Sequence, residues 1–440
     1  MALSGGGHRA SLFGLGTLLY LVDAEVNTEV SSIASVSGGS LTNAYVGQTT
    51  NFQQVAPSTF ESEATTLATQ LARKGTLFAA PLTWVFLIAA LLIALPAVFA
   101  VWWLPWSWSV RLPVFVVALM AWGMLFEQRG RICGLAFAKT LLSRQGKPTL
   151  LKDLAALPLQ HVICATELHS GQHVYFAGSF ICSYEFGWGS PGSIRLASAV
   201  QASSALPGAF PVKWLRTRRF KFVAGSHQAR AMALTDGGVY DNMSDQWAQN
   251  VADRKSRWGK LAASLQEPET LIVVNASAPM QFGSVASLRF PVLGELIALL
   301  RDKSVLYDNG TKLRRHGLIG RFDRAELEGK GLRGALVHIP QSPFKVLDAF
   351  KGSTAWPKRA ERARAALTKL AGESPEEWER IAAENSRVKT TLSKVGTDVA
   401  AQLLRHSYVL AMTNLHVILG LPLLDVPPMS RFIKMAGGTP

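Results

Sequence analysis

Charge is scarce in this 440-residue chain. Asp, Glu, Lys and Arg make up 17% of it, against about a quarter of an average globular protein. Together with 48% hydrophobic residues, that deficit points to a chain part of which faces lipid rather than water. Acidic residues are the scarcer kind, 30 against 45 Lys and Arg, which leaves a formal net charge of +15. Such an excess suits nucleic acid or an anionic membrane surface. No interleaving of aromatic and basic residues resembles a nucleic-acid module, so a lipid bilayer is the expected partner and nucleic acid is not. Cysteine is nearly absent. Cys133, Cys164 and Cys182 are odd in number and widely spaced, which excludes a disulfide framework and a zinc pattern and fits a reduced, cytoplasmic setting. No internal repeat or long low-complexity linker interrupts the chain. A secretory signal is not expected, because a glycine run breaks the first residues before an apolar core can form.

Long apolar runs are also rare, with one exception. Leu82–Leu104 (LTWVFLIAALLIALPAVFAVWWL) holds 23 positions without a charge. As a helix it would span about 34 Å, enough for a hydrocarbon core of roughly 30 Å. A second run, Leu112–Phe126, has 15 residues and reaches 21 when extended back to Trp106. Arg111 then lies near one end, where its charge can snorkel. Between the runs Pro105 is flanked by Trp102, Trp103, Trp106 and Trp108, and tryptophan gathers at membrane–water interfaces. The spacing predicts a transmembrane helical hairpin over 81–127; the alternative is a buried helical pair or a hydrophobic lid. Basic residues flank the runs unevenly. Arg73 and Lys74 precede the first and Arg129, Arg131, Lys139 and Arg144 follow the second, against Arg111 alone in the loop region. That bias predicts an integral membrane protein whose remaining chain faces the cytoplasm.

The remainder alternates strand-like and helix-like segments. Short apolar or β-branched runs occur at HVICAT (His161–Thr166), HVYFAG (His173–Gly178), TLIVVNAS (Thr270–Ser277) and ALVHIP (Ala335–Pro340), with helical patterns such as Ser244–Leu265 among them. This alternation predicts an α/β domain with a central sheet. Strand-like segments lie on both sides of the hairpin, so the hairpin reads as an insertion. Residues 1–80 form the first part of the domain and 128–440 the second, mainly helical from Trp356 to Gly420.

Three short stretches carry residue types suited to chemistry. LSGGGHRASLFGLG (Leu3–Gly16) sets Gly5, Gly6 and Gly7 before a helix-like run, and bare N–H groups at such a turn form a nest for an anion or oxyanion. SSIASVSGGSLTNAYVG (Ser31–Gly47) leads small and β-branched residues into Ser37, Gly38 and Gly39. A serine on a sharp strand-to-helix turn is a nucleophile elbow, usually G-x-S-x-G; here Ser35 stands in for the first glycine. ALTDGGVYDNM (Ala233–Met243) mounts Asp236 before Gly237 and Gly238. An oxyanion nest, an elbow serine and a turn-mounted carboxylate are the parts of an acyl hydrolase.

Taken together, these blocks resemble the patatin-like phospholipase family, with its GGGxR oxyanion turn, G-x-S-x-G elbow and DG[GA] aspartate. AVQASSALPGAFPV (Ala199–Val212) is similar to the family's segment before the aspartate, and CATELHSG around Cys164 also resembles it. The resemblance covers Met1–Thr50 and Leu159 to the neighbourhood of Ala411, with the hairpin as an addition. It implies a three-layer α/β/α fold and a Ser–Asp dyad without a catalytic histidine, metal or cofactor. Ser37 would be the nucleophile and Asp236 the general base. Gly5, Gly6 and Gly7 would form the oxyanion hole, with Arg9, Gly38, Gly39 and Gly237 in support. Arg9 would steady the glycine loop or meet a lipid phosphate. The implied substrate is a membrane phospholipid or lysophospholipid. Two departures from the family pattern stand out: Ser35 in the elbow, and only Met1–Leu3 before the glycines.

Rival readings remain at this level. A Ser–Asp–His triad would draw its base from His316, His338, His406 or His416, although Ser37 follows too few strands for an α/β-hydrolase. His8 beside the glycines is more readily structural than catalytic. The same dyad would also serve a neutral-lipid lipase or acyltransferase, and the fold without activity would be a lipid-binding membrane protein.

Overall fold

The computed structural model describes residues 1–103, 105–227, 229–258, 267–279 and 293–439. Ten strands join in its main sheet: β1 (Ala2–Leu3), β2 (Ser32–Ser35), β3 (Gln160–Glu167), β4 (Gln172–Ala177), β5 (Ile181–Ser183), β6 (Gly187–Gly189), β7 (Lys213–Arg216), β8 (Ala231–Asp236), β9 (Thr270–Asn275) and β10 (Arg333–His338). The helices that matter to the site are α1 (Gly7–Asp23), α2 (Gly38–Thr49), α3 (Pro81–Trp102), α4 (Trp108–Glu127), α5 (Arg129–Thr140), α6 (Leu196–Ser203), α7 (Leu293–Glu328) and α8 (Thr397–Leu419). Helices flank a mixed central sheet, the α/β fold expected. All four strand-like runs read from the sequence become strands. The helix expected over Ser244–Leu265 is instead two short ones, Gln246–Gln249 and Val251–Trp258, and 259–266 lie outside the described residues.

Strands β10, β9, β1, β2 and β3 run parallel in that order. Their apolar, β-branched composition suits a sheet covered on both faces. β1 has two residues, yet both are paired on both sides. Ala2 and Leu3 register with Val273 and Val274 of β9 and with Ala34 and Ser35 of β2. A two-residue strand therefore crosses the sheet centre and delivers the glycine turn at its end. From its first turn on, α1 is buried as far as Val22, consistent with a helix apolar on all sides. It packs against α8, with Thr17 Oγ1 and Ser407 Oγ 2.8 Å apart.

One arrangement in the sheet governs the site. β2 pairs with the first half of β3, from Ser32 with Gln160 to Ser35 with Ile163. β8 comes from the opposite direction along the second half, from Leu234 with Glu167 to Asp236 with Ala165. β4 occupies the other edge of β3, so β2 and β8 share one edge and point at each other. Their ends stop two β3 residues apart, about 7 Å.

Strands from before and after the hairpin thus share one sheet. α3 and α4 are 22 and 20 residues long, begin and end within a few residues of the expected spans, and are long and apolar enough to cross a membrane. Their large apolar side chains are exposed; Leu92, Val117 and Met124 lie between 65% and 72% accessible. Trp102, Trp103 and Trp108 surround the tip, where the Arg111 guanidinium lies 5.5 Å from the Trp108 ring centre.

Histidine is used as a buried polar pin. His8, His161, His173 and His406 are at most 2% exposed, and burial pushes each from 6.5 to about 4. The folded chain keeps these rings neutral where the unfolded chain protonates them, so stability is lost as pH falls from 6.5 towards 4. Each ring is worth on the order of 3 kcal/mol by the lower limit. Asp245, raised by burial and by the neighbouring Asp241 charge, works in the opposite direction but is a single group. Thermal unfolding in neutral detergent should therefore show a melting temperature that drops steeply between pH 6.5 and 4. A flat profile across that window would contradict the burial of these rings.

Candidate active site

Ser37 follows β2 with φ 51° and ψ −117°, a sparsely populated conformation costing about 1–3 kcal/mol for a residue with a β-carbon. Its surroundings hold it there. The Ser37 N–H donates to Ser203 Oγ at 2.9 Å, and its carbonyl accepts from Ser40 N and Leu41 N at 3.0 and 3.3 Å. Gly38 then opens α2 hard against the glycine turn. A β-carbon there would fall 2.0 Å from the Gly7 carbonyl oxygen and 2.8 Å from Gly7 N, so only glycine lets the two loops touch. Gly39 donates its N–H to Ser4 O and Val36 O. Ser11 Oγ of α1 donates to the Gly38 carbonyl at 2.6 Å, tying the two helix starts together.

Ser35, the departure from the family's elbow, is fully accommodated. It is buried, donates to Val162 O at 3.1 Å, and accepts from Asn43 Nδ2 at 2.8 Å and Ser40 Oγ at 3.1 Å. The hydroxyl adds a polar link between β2, β3 and α2 where glycine would leave those donors without it.

The glycine turn is held from both ends. Gly5 N–H donates to Asn242 O at 3.0 Å. Gly6 and Gly7 take φ of 141° and 60°. The N–H groups of Gly6, Gly7 and Gly38 have no acceptor among the described residues. His8 pins the turn's far side, with Nδ1 2.8 Å from Ser393 O and Nε2 2.9 Å from Thr76 Oγ1. A carbonyl only accepts, so the neutral ring carries its proton on Nδ1. Arg9 is 2% exposed; it donates from Nε to Ala276 O at 3.0 Å and from Nη1 to Val388 O. Burial lowers it to about 10. These bonds tie the start of α1 to the backbone at Ala276 and Val388.

Asp236 ends β8. Its N–H donates to Ala205 O at 3.0 Å, and Gly237 N–H donates to Ser203 O at 3.2 Å. Oδ1 of Asp236 accepts from Gly238 N–H at 2.8 Å, which fixes the carboxylate over its own turn. A β-carbon on Gly237 would fall 2.3 Å from Cys164 O. The Gly237 carbonyl accepts from His173 Nε2 at 3.1 Å and Thr166 Oγ1 at 3.3 Å. Behind the turn, Arg314 of α7 bridges Asp241 and Asp245, 3.3 Å from each.

Asn242 lies between the two chemical groups. A β-carbon at Gly5 would be 2.4 Å from Asn242 Oδ1 and 3.3 Å from Ser37 Cβ, and one at Gly238 would be 2.7 Å from the same oxygen and 3.0 Å from Asp236 Oδ1. Asn242 Nδ2 donates to Ser277 Oγ at 2.6 Å. The residues picked from the sequence therefore gather at one gap, although Ser37 and Asp236 come from far-apart segments. Sequence reading did not single out Ser203, Asn242 or His173. All three lay inside quoted runs, and polar residues within an otherwise small or apolar run were the available signal. No histidine is hydrogen-bonded to Ser37 among the described residues. His406 and His416 point to Gln341 O and Leu421 O, and His338 meets Arg315 and Asn275 O.

The family model described as patatin-like phospholipase matches residues 1–244. No curated protein matches the sequence. Among solved structures, VipD from Legionella pneumophila is a remote likeness, 10% identical with a TM-score of 0.26 over 98% of this chain and 89% of that one. By its family match over more than half its length, the chain belongs to the patatin-like phospholipases.

Proposed function

We propose that the chain is a membrane-anchored serine acyl hydrolase acting on the ester bonds of membrane phospholipids or lysophospholipids through Ser37 and Asp236. The observation that carries this reading is the meeting of these two residues at one gap, beside three backbone N–H groups without an acceptor among the described residues. Ser37 Oγ attacks the ester carbonyl while the Asp236 carboxylate takes its proton. The carbonyl oxygen becomes an oxyanion held by the N–H groups of Gly6, Gly7 and Gly38. Gly5, whose N–H is committed to Asn242, shapes the turn instead of donating. Collapse breaks the ester bond, and the departing alkoxide takes the proton from Asp236. Water then attacks the acyl-Ser37 ester, again giving its proton to Asp236, and the fatty acid leaves as Ser37 is reprotonated. With a reference pKa near 4 an aspartate is a weak base, so much of the barrier reduction falls to donors fixed in place before the reaction. Leu206, Val239 and Tyr240, in the segments next to the gap, are exposed and give it an apolar rim suited to acyl chains.

Ser37→Ala and Asp236→Asn should each lower fatty-acid release from phospholipid vesicles by at least about a thousandfold without changing the circular dichroism. Near-normal turnover in Asp236→Asn would overturn the dyad, and His316→Ala and His338→Ala should keep most of the activity. Ser203→Ala removes the acceptor that holds Ser37 N–H. A lost hydrogen bond of about 1–2 kcal/mol should appear as a roughly tenfold fall in kcat with KM little changed. An unaltered kcat would show that the elbow needs no such support.

The membrane reading has its own test. The native cysteines are buried, so a cysteine introduced at Ser107 should react with an impermeant maleimide from outside intact cells, and one at Gln145 should not. Labelling at Gln145 alone would invert the topology, and ready extraction by salt would make the hairpin a lid.

A further inference from the structure

A cavity lies where the hairpin leaves its last turn. It has a volume of about 330 Å³ and is bordered by Glu127 at the end of α4, Arg131 of α5, Arg195, Gln201 of α6, and Lys213 and Trp214 of β7. Arg129 fastens this foot to the domain by donating to Ala209 O at 2.9 Å. Three cations face one carboxylate across the opening. The imbalance extends along the chain: residues 186–235 contain seven Lys and Arg and no acid. Arg195, Arg216, Arg218, Arg219 and Lys221 in that stretch are exposed and make no ion pair among the described residues.

Lys213 is the informative member. Its ammonium donates to Gln201 Oε1 at 2.5 Å, a neutral partner that is itself 2% exposed. Burial lowers its pKa from 10.5 to about 8. A cation held at such a cost beside an open cavity, with two further arginines at the rim, is the local chemistry of an anion site. Trp214 and Val212 are exposed next to it, 64% and 38% accessible. An aromatic beside cations at the foot of an apolar hairpin is the arrangement found at a lipid–water boundary.

We propose that this cavity binds the phosphate-bearing headgroup of an anionic phospholipid through Arg131, Arg195 and Lys213, apart from the gap between Ser37 and Asp236, with the lipid's chains lying toward the hairpin. The inference rests on the membrane reading of the hairpin. It does not depend on the hydrolytic reading, because the site shares none of its residues.

The test uses the full chain in neutral detergent micelles with ether-linked, non-hydrolysable lipids bearing a photoreactive group on the glycerol, next to the phosphate. Phosphatidylglycerol and phosphatidylcholine versions are compared, and crosslinks are mapped by mass. The phosphatidylglycerol version should label Arg195–Leu215 about fivefold or more above the phosphatidylcholine version. Arg131→Gln and Arg195→Gln, both at exposed positions, and Lys213→Met should each cut that labelling roughly fivefold, the worth of one cation at an anionic surface. Equal labelling by the two lipids, or labelling indifferent to the two arginine variants, overturns the proposal. So does complete displacement by inorganic phosphate at the concentration of the lipid, which would make the occupant a free anion. If Pro81–Glu127 is labelled and Arg195–Leu215 is not, the headgroup site alone falls. If neither is labelled, the membrane reading falls with it.

Discussion

The site exists because two strands end against each other on one edge of a third. β3 offers eight residues; β2 takes the first four from one direction and β8 the last three from the other. A strand that ran past its allotted half would collide with its counterpart, so each chain must leave the sheet at the gap. Both do so through turns rich in glycine, Ser37-Gly38-Gly39 and Asp236-Gly237-Gly238. The backbone there approaches other backbone so closely that β-carbons at Gly38 and Gly237 would lie within 2.3 Å of carbonyl oxygens. The central two-residue strand β1 adds a third chain end to the same edge of the molecule, and with it the glycine turn.

The segment Ala199–Val212 is the brace across this gap. Ser203 holds the Ser37 N–H through its side chain and the Gly237 N–H through its carbonyl, while Ala205 O receives the N–H of Asp236. Neither the Ser37 turn nor the Asp236 turn is held by its own strand alone. Strain at Ser37, about 1–3 kcal/mol, is thereby borne by bonds spread over β3, α2 and α6.

Much of this was legible in the sequence, because glycine runs, an elbow serine and a DGG turn are local patterns with local causes. The apolar helices and four principal strands were legible for the same reason, since period and composition act over a few residues. What escaped depends on contacts between distant segments. Nothing around Gly5 says that its N–H will be spent on Asn242, which is far away in sequence, and that single bond removes it from the set of free donors. Ser35 read as a weakened motif because its partners, Val162 and Asn43, are invisible until β2, β3 and α2 are assembled. Arg9 was expected to steady the glycine loop or meet a lipid phosphate, and the carbonyls it bonds, of Ala276 and Val388, lie far away in sequence. The 36-residue α7, and with it the Arg314 clamp behind the aspartate turn, went unread because its mixed polarity shows no dominant face.

The hydroxyls behind the elbow also obey a count. Ser35, Ser40 and Ser203 own three protons between them. Ser35 spends its own on Val162 O and Ser203 spends its own on Cys164 O, at 3.1 and 2.6 Å. Ser40 is left with one proton and two claimants, Ser35 Oγ at 3.1 Å and Ser203 Oγ at 2.9 Å. Whichever way it turns, the oxygen of Ser203 keeps a lone pair for the amide of Ser37 and has no proton to offer it. The cluster is therefore a one-way acceptor: it fixes where Ser37 stands, and in the proposed reaction it leaves the serine's proton to Asp236.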